Sequence, residues 1–215
     1  MALIKSTVDE QATADTRARY QRLSRFYDLM EILPERRFRP WRRKLWTLVQ
    51  GPRVLEVGVG TGKNMPFWPP DAHMTAIDLT PGMLERARRR AQGLHLKADL
   101  YLGDVRALDF PDNSFDTAVA TFVFCSVPDP VLGLRELKRV VKPGGRIVLL
   151  EHVRSPNEVV SKLMDVLNPL VVRIMGADIN RRTVENVQKA GLIVEQVEDL
   201  GMGGIVKLIV ARRSD

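Results

Sequence analysis

The stretch Arg53-Val54-Leu55-Glu56-Val57-Gly58-Val59-Gly60-Thr61-Gly62 decides how the rest of the chain is read. Its first five residues suit a buried strand, and that strand runs directly into glycines at spacing two. Glycines so placed let the backbone turn sharply and approach a ligand more closely than any Cβ would permit. An acid, Asp78, ends the next predicted strand about 20 residues on, where a carboxylate can accept hydrogen bonds from both hydroxyls of a ribose. The dinucleotide version of this loop needs glycine at the sixth position of G-x-G-x-x-G, but that position holds Lys63. Glu56 also argues against a pyrophosphate, which a carboxylate would repel.

Outward from the loop, short β-rich runs alternate with helical patterns, which predicts a mainly parallel sheet covered by helices. The predicted strands are Arg53–Val57, Met74–Asp78, Leu96–Gly103, Phe115–Thr121, Arg146–Glu151, Ile193–Glu198 and Val206–Ala211. A helix from Pro81 to Ala91 has Thr80 as N-cap and proline at its first position. Another, Val131 to Val141, is expected to stop at Pro143-Gly144-Gly145. Two regions stand outside the alternation: residues 1–50, an N-terminal helical extension expected to bind substrate or membrane, and 155–190, a helical insertion in the 51–215 cofactor-binding domain. Such additions to a shared core are where a substrate site is built.

Composition sets bounds. The 215 residues suit one domain with a substantial core, and 45% hydrophobic with 27% charged residues is ordinary for a globular protein. The single cysteine, Cys125, excludes an internal disulfide framework and suits a reducing cytoplasm. No secretory signal and no apolar run of ~18 residues is visible. No His, Asp or Glu cluster has metal-ligand spacing, so no metal is expected. The net charge of +7 points to an anionic partner, either nucleic acid or an acidic membrane surface.

Further motifs accompany the loop: Gly103-Asp104-Val105 after the third strand, Ala120-Thr121-Phe122-Val123-Phe124-Cys125-Ser126 at the end of the fourth, and Leu137 to Arg146 leading into the fifth. Together they resemble the class I S-adenosylmethionine-dependent methyltransferases over roughly residues 50–150. The resemblance implies a Rossmann-like seven-stranded, mostly parallel sheet with helices on both faces and an antiparallel last strand. It also implies S-adenosylmethionine as cofactor and S-adenosylhomocysteine as product. Glu56, Val57, Gly58, Gly60, Thr61 and Gly62 would then cradle the methionine part, and Asp78 would bind ribose. Leu79 and Met83 would lie beside the adenine, Asp104 and Val105 would contact it, and Thr121 and Phe122 would sit near the sulfonium. Leu79 and Met83 serve equally as helix-packing residues.

The acceptor has to be sought in the flanks. The Asn/Asp-Pro-Pro-Tyr element of base amino-group methylation and the Pro-Cys nucleophile of cytosine methylation are absent. The segment from Glu35 to Trp46 gathers six cations, one acid, two tryptophans and a phenylalanine. Such interleaving serves RNA stacking, an anionic lipid interface, or a solvated helix whose tryptophans pack on the core. Upstream, Tyr20, Leu23, Tyr27 and Met30 share a helical stripe, joined by Phe26, with Arg17, Arg19, Arg22 and Arg25 elsewhere. The segment from Val159 to Met175 is too broken by charge and proline to span a bilayer. It is apolar enough to line an acyl-sized groove or to pack in a core.

Tyr27-Asp28-Leu29-Met30, Leu33-Pro34-Glu35-Arg36-Arg37-Phe38, Glu151-His152-Val153 and Gly176-Ala177-Asp178-Ile179-Asn180-Arg181 resemble the bacterial phosphatidylethanolamine N-methyltransferases. Those enzymes are themselves similar to the ubiquinone/menaquinone C-methyltransferases. The resemblance implies methylation of the ethanolamine nitrogen toward phosphatidylcholine by a peripheral enzyme on the inner face of the cytoplasmic membrane, with no nucleic-acid partner. It suggests His152 as general base, and Tyr20 and Tyr27 closing over the cofactor or facing the methylated cation. Arg36, Arg37 and Arg181 become candidates for the lipid phosphate. Two alternatives stay open: a quinone-ring C-methyltransferase, and a nucleic-acid-binding protein with a vestigial cofactor site.

Overall fold

The computed structural model describes residues 8–24, 27–30 and 32–214. Residues 1–7, Arg25, Phe26, Glu31 and Asp215, and the side chains of Met30, Ile32, Leu33, Ile174 and Met175, lie outside the described residues. Three helices come first: α1 (Glu10–Leu23), α2 (Tyr27–Met30) and α3 (Ile32–Trp46). The alternating part follows as β1 (Arg53–Val57), β2 (His73–Asp78), α4 (Pro81–Gly93), β3 (Ala98–Leu102), β4 (Phe115–Thr121), α5 (Pro130–Val140) and β5 (Val141–His152). Last come α6 (Glu158–Met175), α7 (Thr183–Lys189), β6 (Leu192–Gly201) and β7 (Val206–Arg213).

The seven strands form one Rossmann-like sheet in the order β3-β2-β1-β4-β5-β7-β6. The pairs from β3 through β5 are parallel, and β7 runs antiparallel to both β5 and β6. Strand order reverses between β1 and β4, and in open α/β sheets ligands bind at such a reversal, beyond the carboxyl ends of the strands. The glycine loop leaves β1 at that point.

Strand side chains alternate between two cores. Leu55, Val57, Ile77, Ile147 and Leu149 join Leu134 and Leu137 of α5 and Val187 of α7 on one face. Val54, Met74, Val148 and Leu150 join Leu45 and Trp46 of α3 and Leu84 of α4 on the other. The tryptophans of the basic segment are therefore packing residues: Trp46 is buried and lies beside Trp68, with ring centroids 6.4 Å apart, and Trp41 packs against the same core. Of the 155–190 region, α7 belongs to the layer covering the sheet, while α6 lies apart from it.

Two local expectations are corrected. Pro143-Gly144-Gly145 lies inside β5, because the β4–β5 ladder steps from Phe115–Val141 to Thr117–Arg146 and the irregularity absorbs the three residues. Helix α5 ends one residue earlier, at Val140. Thr80 occupies the N-cap of α4, but its side chain makes no capping bond. Asp78 instead accepts from the Thr80 N–H at 2.8 Å, so the acid at the end of β2 shapes the helix start.

Candidate active site

Beyond the carboxyl ends of β1, β2 and β4 lies a cleft of about 790 Å³, a volume that includes its mouth open to solvent. Gly58, Gly60, Asp78, Leu79, Met83, Asp104, Val105, Thr121, Phe122, Tyr20 and Tyr27 all line it. Eleven residues singled out in the sequence thus meet in one place. Ile77, Thr80, Gly103 and Val123 also line it, as do Thr16, Ser126, Val127 and Pro128, none of which was assigned a site role from the sequence.

Backbone geometry builds the floor. Gly58 and Gly60 take the left-handed conformation at φ 65° and 56°. The Gly60 N–H donates to Asp78 Oδ2 at 2.8 Å, so one carboxylate fixes both the loop after β1 and the start of α4. Burial pushes the Asp78 carboxyl up from its usual value, although the two N–H donors work against that. A Cβ at Gly60 would meet nothing within 4 Å, whereas one at Gly58 would lie 2.4 Å from Val123 Cγ2. The loop therefore offers bare backbone to the cleft at Gly60, beside a carboxylate and the apolar side chains of Ile77, Leu79, Met83 and Val105. Bare backbone, an acceptor for a diol and an apolar slot for a flat base suit a nucleoside carrying an amino-acid chain.

Glu56 does not line the cleft. It is buried behind the loop, where Oε1 accepts from Asn64 Nδ2 and Oε2 from Trp68 Nε1, each at 2.7 Å. Asn64 also donates to Thr121 Oγ1 at 2.8 Å and accepts from Arg42 Nη1 at 3.0 Å. Burial pushes Glu56 up to about 7 against the pull of Asn64, Trp68 and Arg42. Its role here is to brace the loop. Val57 is a core residue, and Thr61 turns its hydroxyl to Asp28 Oδ1 at 2.6 Å. Gly62 packs against Met65.

Helix α1 closes one side of the cleft. Tyr20 Oη and Ser126 Oγ are 2.5 Å apart, Gln21 Oε1 accepts from Gly82 N at 2.9 Å, and Thr13 Oγ1 donates to Asp104 Oδ2 at 3.3 Å. Buried Arg106 holds Asp104 through Nε at 3.2 Å and Nη2 at 2.8 Å, and also bonds Thr13. Asp104 thus anchors the lid helix while facing the cleft. Burial raises the Tyr20 hydroxyl above its ordinary value, so it stays a donor at neutral pH.

The remaining candidates scatter. His152 is not a cleft residue: its ring stacks on Phe122 with centroids 4.5 Å apart and meets the Phe38 ring at 5.9 Å. Burial lowers its pKa and keeps it neutral, but Phe122 stands between it and the cleft. Glu151, which precedes it, is fully buried and accepts from the Val123 and Phe124 N–H groups at 3.0 and 3.1 Å. Burial pushes it up to about 7. Arg36 lines a second groove with Asp28, Glu35, Arg39, Lys63 and Arg90, while Arg37 is exposed outside it. Arg181 donates to Val127 O at 2.8 Å and pairs with Asp178, which braces the cleft wall.

A methyltransferase-domain family model matches residues 55–149. Among curated relatives, phosphatidylethanolamine N-methyltransferase of Cereibacter sphaeroides is 44% identical over 48% of this chain and 52% of its own length. The ubiquinone/menaquinone C-methyltransferase of Ruegeria sp. is 36% identical over 70% of this chain and 64% of its own. The demethylmenaquinone methyltransferase of Staphylococcus aureus is 30% identical over 73% and 68%. The match thus spans about half to two thirds of the length of these relatives. A solved S-adenosylmethionine-dependent methyltransferase from Aquifex aeolicus shares the fold with a TM-score of 0.61 at 23% identity, over 79% of this chain and 86% of that one.

Proposed function

We propose that this chain, which belongs to the class I S-adenosylmethionine-dependent methyltransferases, methylates the ethanolamine nitrogen of phosphatidylethanolamine at a lipid surface. S-adenosylmethionine supplies an activated methyl group on a sulfonium, so the protein's task is to position and desolvate the two partners.

The observation that carries the reading is the pair Tyr27 and Asp28 on α2. Tyr27 lines the cleft, and Asp28 lines the cation-rich groove with Arg36, Arg39, Lys63 and Arg90. A phosphoethanolamine headgroup has the same layout, an amine a few bonds from a phosphate. The rings of Tyr20, Tyr27 and Phe122 suit a nitrogen that gains cationic character as it is methylated. Burial works against the charge on Asp28, but Thr61 and Arg86 hold it below the usual carboxylate range, so it is ionised; with Glu35 it pairs Lys63 and Arg90, and Arg36 and Arg39 carry the groove's excess positive charge.

The nucleophile must be the free amine, because an ammonium has no lone pair. Asp104 is engaged by Arg106, Asp78 by two backbone N–H groups, and Tyr20 holds its proton. The proton leaves through the open mouth to water, and His152 acts by supporting Phe122. Peripheral attachment to an anionic membrane is part of the same proposal.

A quinone-ring C-methyltransferase is the second reading, favoured by the larger share of the chain that such relatives match. Purified protein, methyl-labelled S-adenosylmethionine and vesicles holding both phosphatidylethanolamine and a demethylated quinol separate the two. Label in mono- to trimethylated phospholipid supports the proposal. Label confined to the quinol overturns it.

A further inference from the structure

Helix α6 carries apolar side chains that none of the described residues covers. Val159, Val160, Leu163, Val166, Leu167 and Leu170 are all exposed, Val159 to 78% and Val166 to 75%. At 100° per residue they fill one arc of roughly 120°, about 16 Å long from first to last. The opposite arc holds the contacts with the body of the protein through Ser161 and Met164, which are buried, and Asn168. At these six residues neither of the two expectations for the segment, an acyl groove or core packing, is seen: they turn away from the described body of the protein.

The margin of that face is cationic. Lys162 and Arg173 both lie on one flank and are exposed. The helix's mid-length acid, Asp165, is held by Arg154 at 2.7 Å and Asn180 at 3.0 Å, so it does not offset them. A two-fold pairing of this face with itself would bring the same cationic flank together, and the acids of α6 are Glu158 and the Arg154-paired Asp165. An apolar arc flanked by cations fits an anionic lipid surface, with the helix lying in the headgroup layer. No helix among the described residues is long and apolar enough to cross a membrane.

Helix α6 is also tied to the cleft. Asn168 Nδ2 donates to Asp178 Oδ1 at 2.8 Å, the Asp178 N–H donates to Cys125 O at 2.8 Å, and Arg181 reaches Val127 O. Ser126, Val127 and Pro128 are cleft wall, and Arg19 of the lid helix α1 packs on Gly176 at the end of α6. We infer that the exposed face of α6 docks the enzyme on an anionic bilayer and sets the cleft mouth against the lipid. This rests on the lipid reading above and names the surface that serves it.

The test is co-sedimentation of the full chain with vesicles of equal parts phosphatidylglycerol and phosphatidylcholine, against phosphatidylcholine alone. The Leu163→Glu/Val166→Glu variant should bind anionic vesicles at least about tenfold more weakly, since both residues leave water only at the membrane. Lys162→Glu/Arg173→Glu should lose the preference for anionic over neutral vesicles. Melting temperature and S-adenosylhomocysteine affinity should match the parent, because none of the four side chains is buried. Unchanged vesicle binding by Leu163→Glu/Val166→Glu would overturn the inference. So would a parent dimer that this variant splits without loss of vesicle binding. Loss of binding supports the docking surface whether or not the lipid is methylated, so its fate is separable from that of the proposed acceptor.

Discussion

Replacing Gly60 by alanine separates the loop's part in folding from its part in binding. Gly60 sits at φ 56°, where a residue with a Cβ costs about 1–2 kcal/mol. The added methyl meets nothing within 4 Å, so no clash adds to that cost in the free protein. For a chain of this size the melting temperature should fall by roughly 2–8 °C. The methyl projects from a cleft-lining residue whose N–H is already committed to Asp78. A cofactor lying against that backbone would meet it as overpacking, at about 1–3 kcal/mol, or roughly 5- to 150-fold in affinity. Gly58→Ala is the contrasting variant. Its Cβ would lie 2.4 Å from Val123 Cγ2 at φ 65°, so its damage falls on the free protein and the melting temperature drops further. Calorimetric titration with S-adenosylhomocysteine, beside thermal denaturation of both variants, gives the two readouts. Gly60→Ala protein that melts as expected but binds within twofold of the parent would refute the claim that the cofactor lies on this backbone.

The pH dependence of stability tests the buried acids. Burial raises Glu56 and Glu151 to about 7 in the folded chain, so each binds its proton more tightly folded than unfolded, and its contribution is lost as pH climbs from about 4.5 through 7. Glu151→Gln mimics the protonated acid and can keep accepting from Val123 and Phe124. Denaturant midpoints should therefore shift in the variant's favour between pH 5 and pH 8, by up to roughly 3 kcal/mol; a constant difference would contradict the burial argument. Asn64→Ala removes the donor shared by Glu56 and Thr121 and the acceptor of Arg42, and should cost about 2–4 kcal/mol in chemical denaturation, with a loss under 0.5 kcal/mol showing that the network does not brace the loop. His152→Phe keeps an aromatic ring against Phe122 and Phe38 and should retain most of its turnover with an unchanged pH–rate profile, whereas a vanished ionisation would restore the histidine as a base.

What the sequence made legible is what the chain keeps local. The glycine loop, the strand before it and the acid at the end of β2 announce themselves by adjacency and alternation, and they meet in space because parallel β1 and β2 end together. The closure by Tyr20 was expected from the resemblance alone, because its bond is remote: Tyr20 reaches Ser126 across 106 positions, and no local pattern encodes that. Glu56 was given to the cofactor because it precedes the loop, yet its side chain belongs to the same face as Val54, the side of the sheet where Trp68 waits as a donor. Parity also explains His152. Val148 and Leu150 face the core shared with α3, so His152, two residues on, falls against Phe38 of that helix, while Glu151 turns the other way, toward the loop after β4. The alternation was present in the sequence; what was missing was which face carried the cleft. Helix α6 shows the opposite limit. An apolar stripe at helical spacing has the same pattern whether it meets a core or a membrane, and only the fold leaves it bare. The cofactor side is thus written in local pattern, and the lid and the bare face of α6 in remote contact and exposure, which is why the methyl donor is legible from the sequence and the proposed acceptor is not.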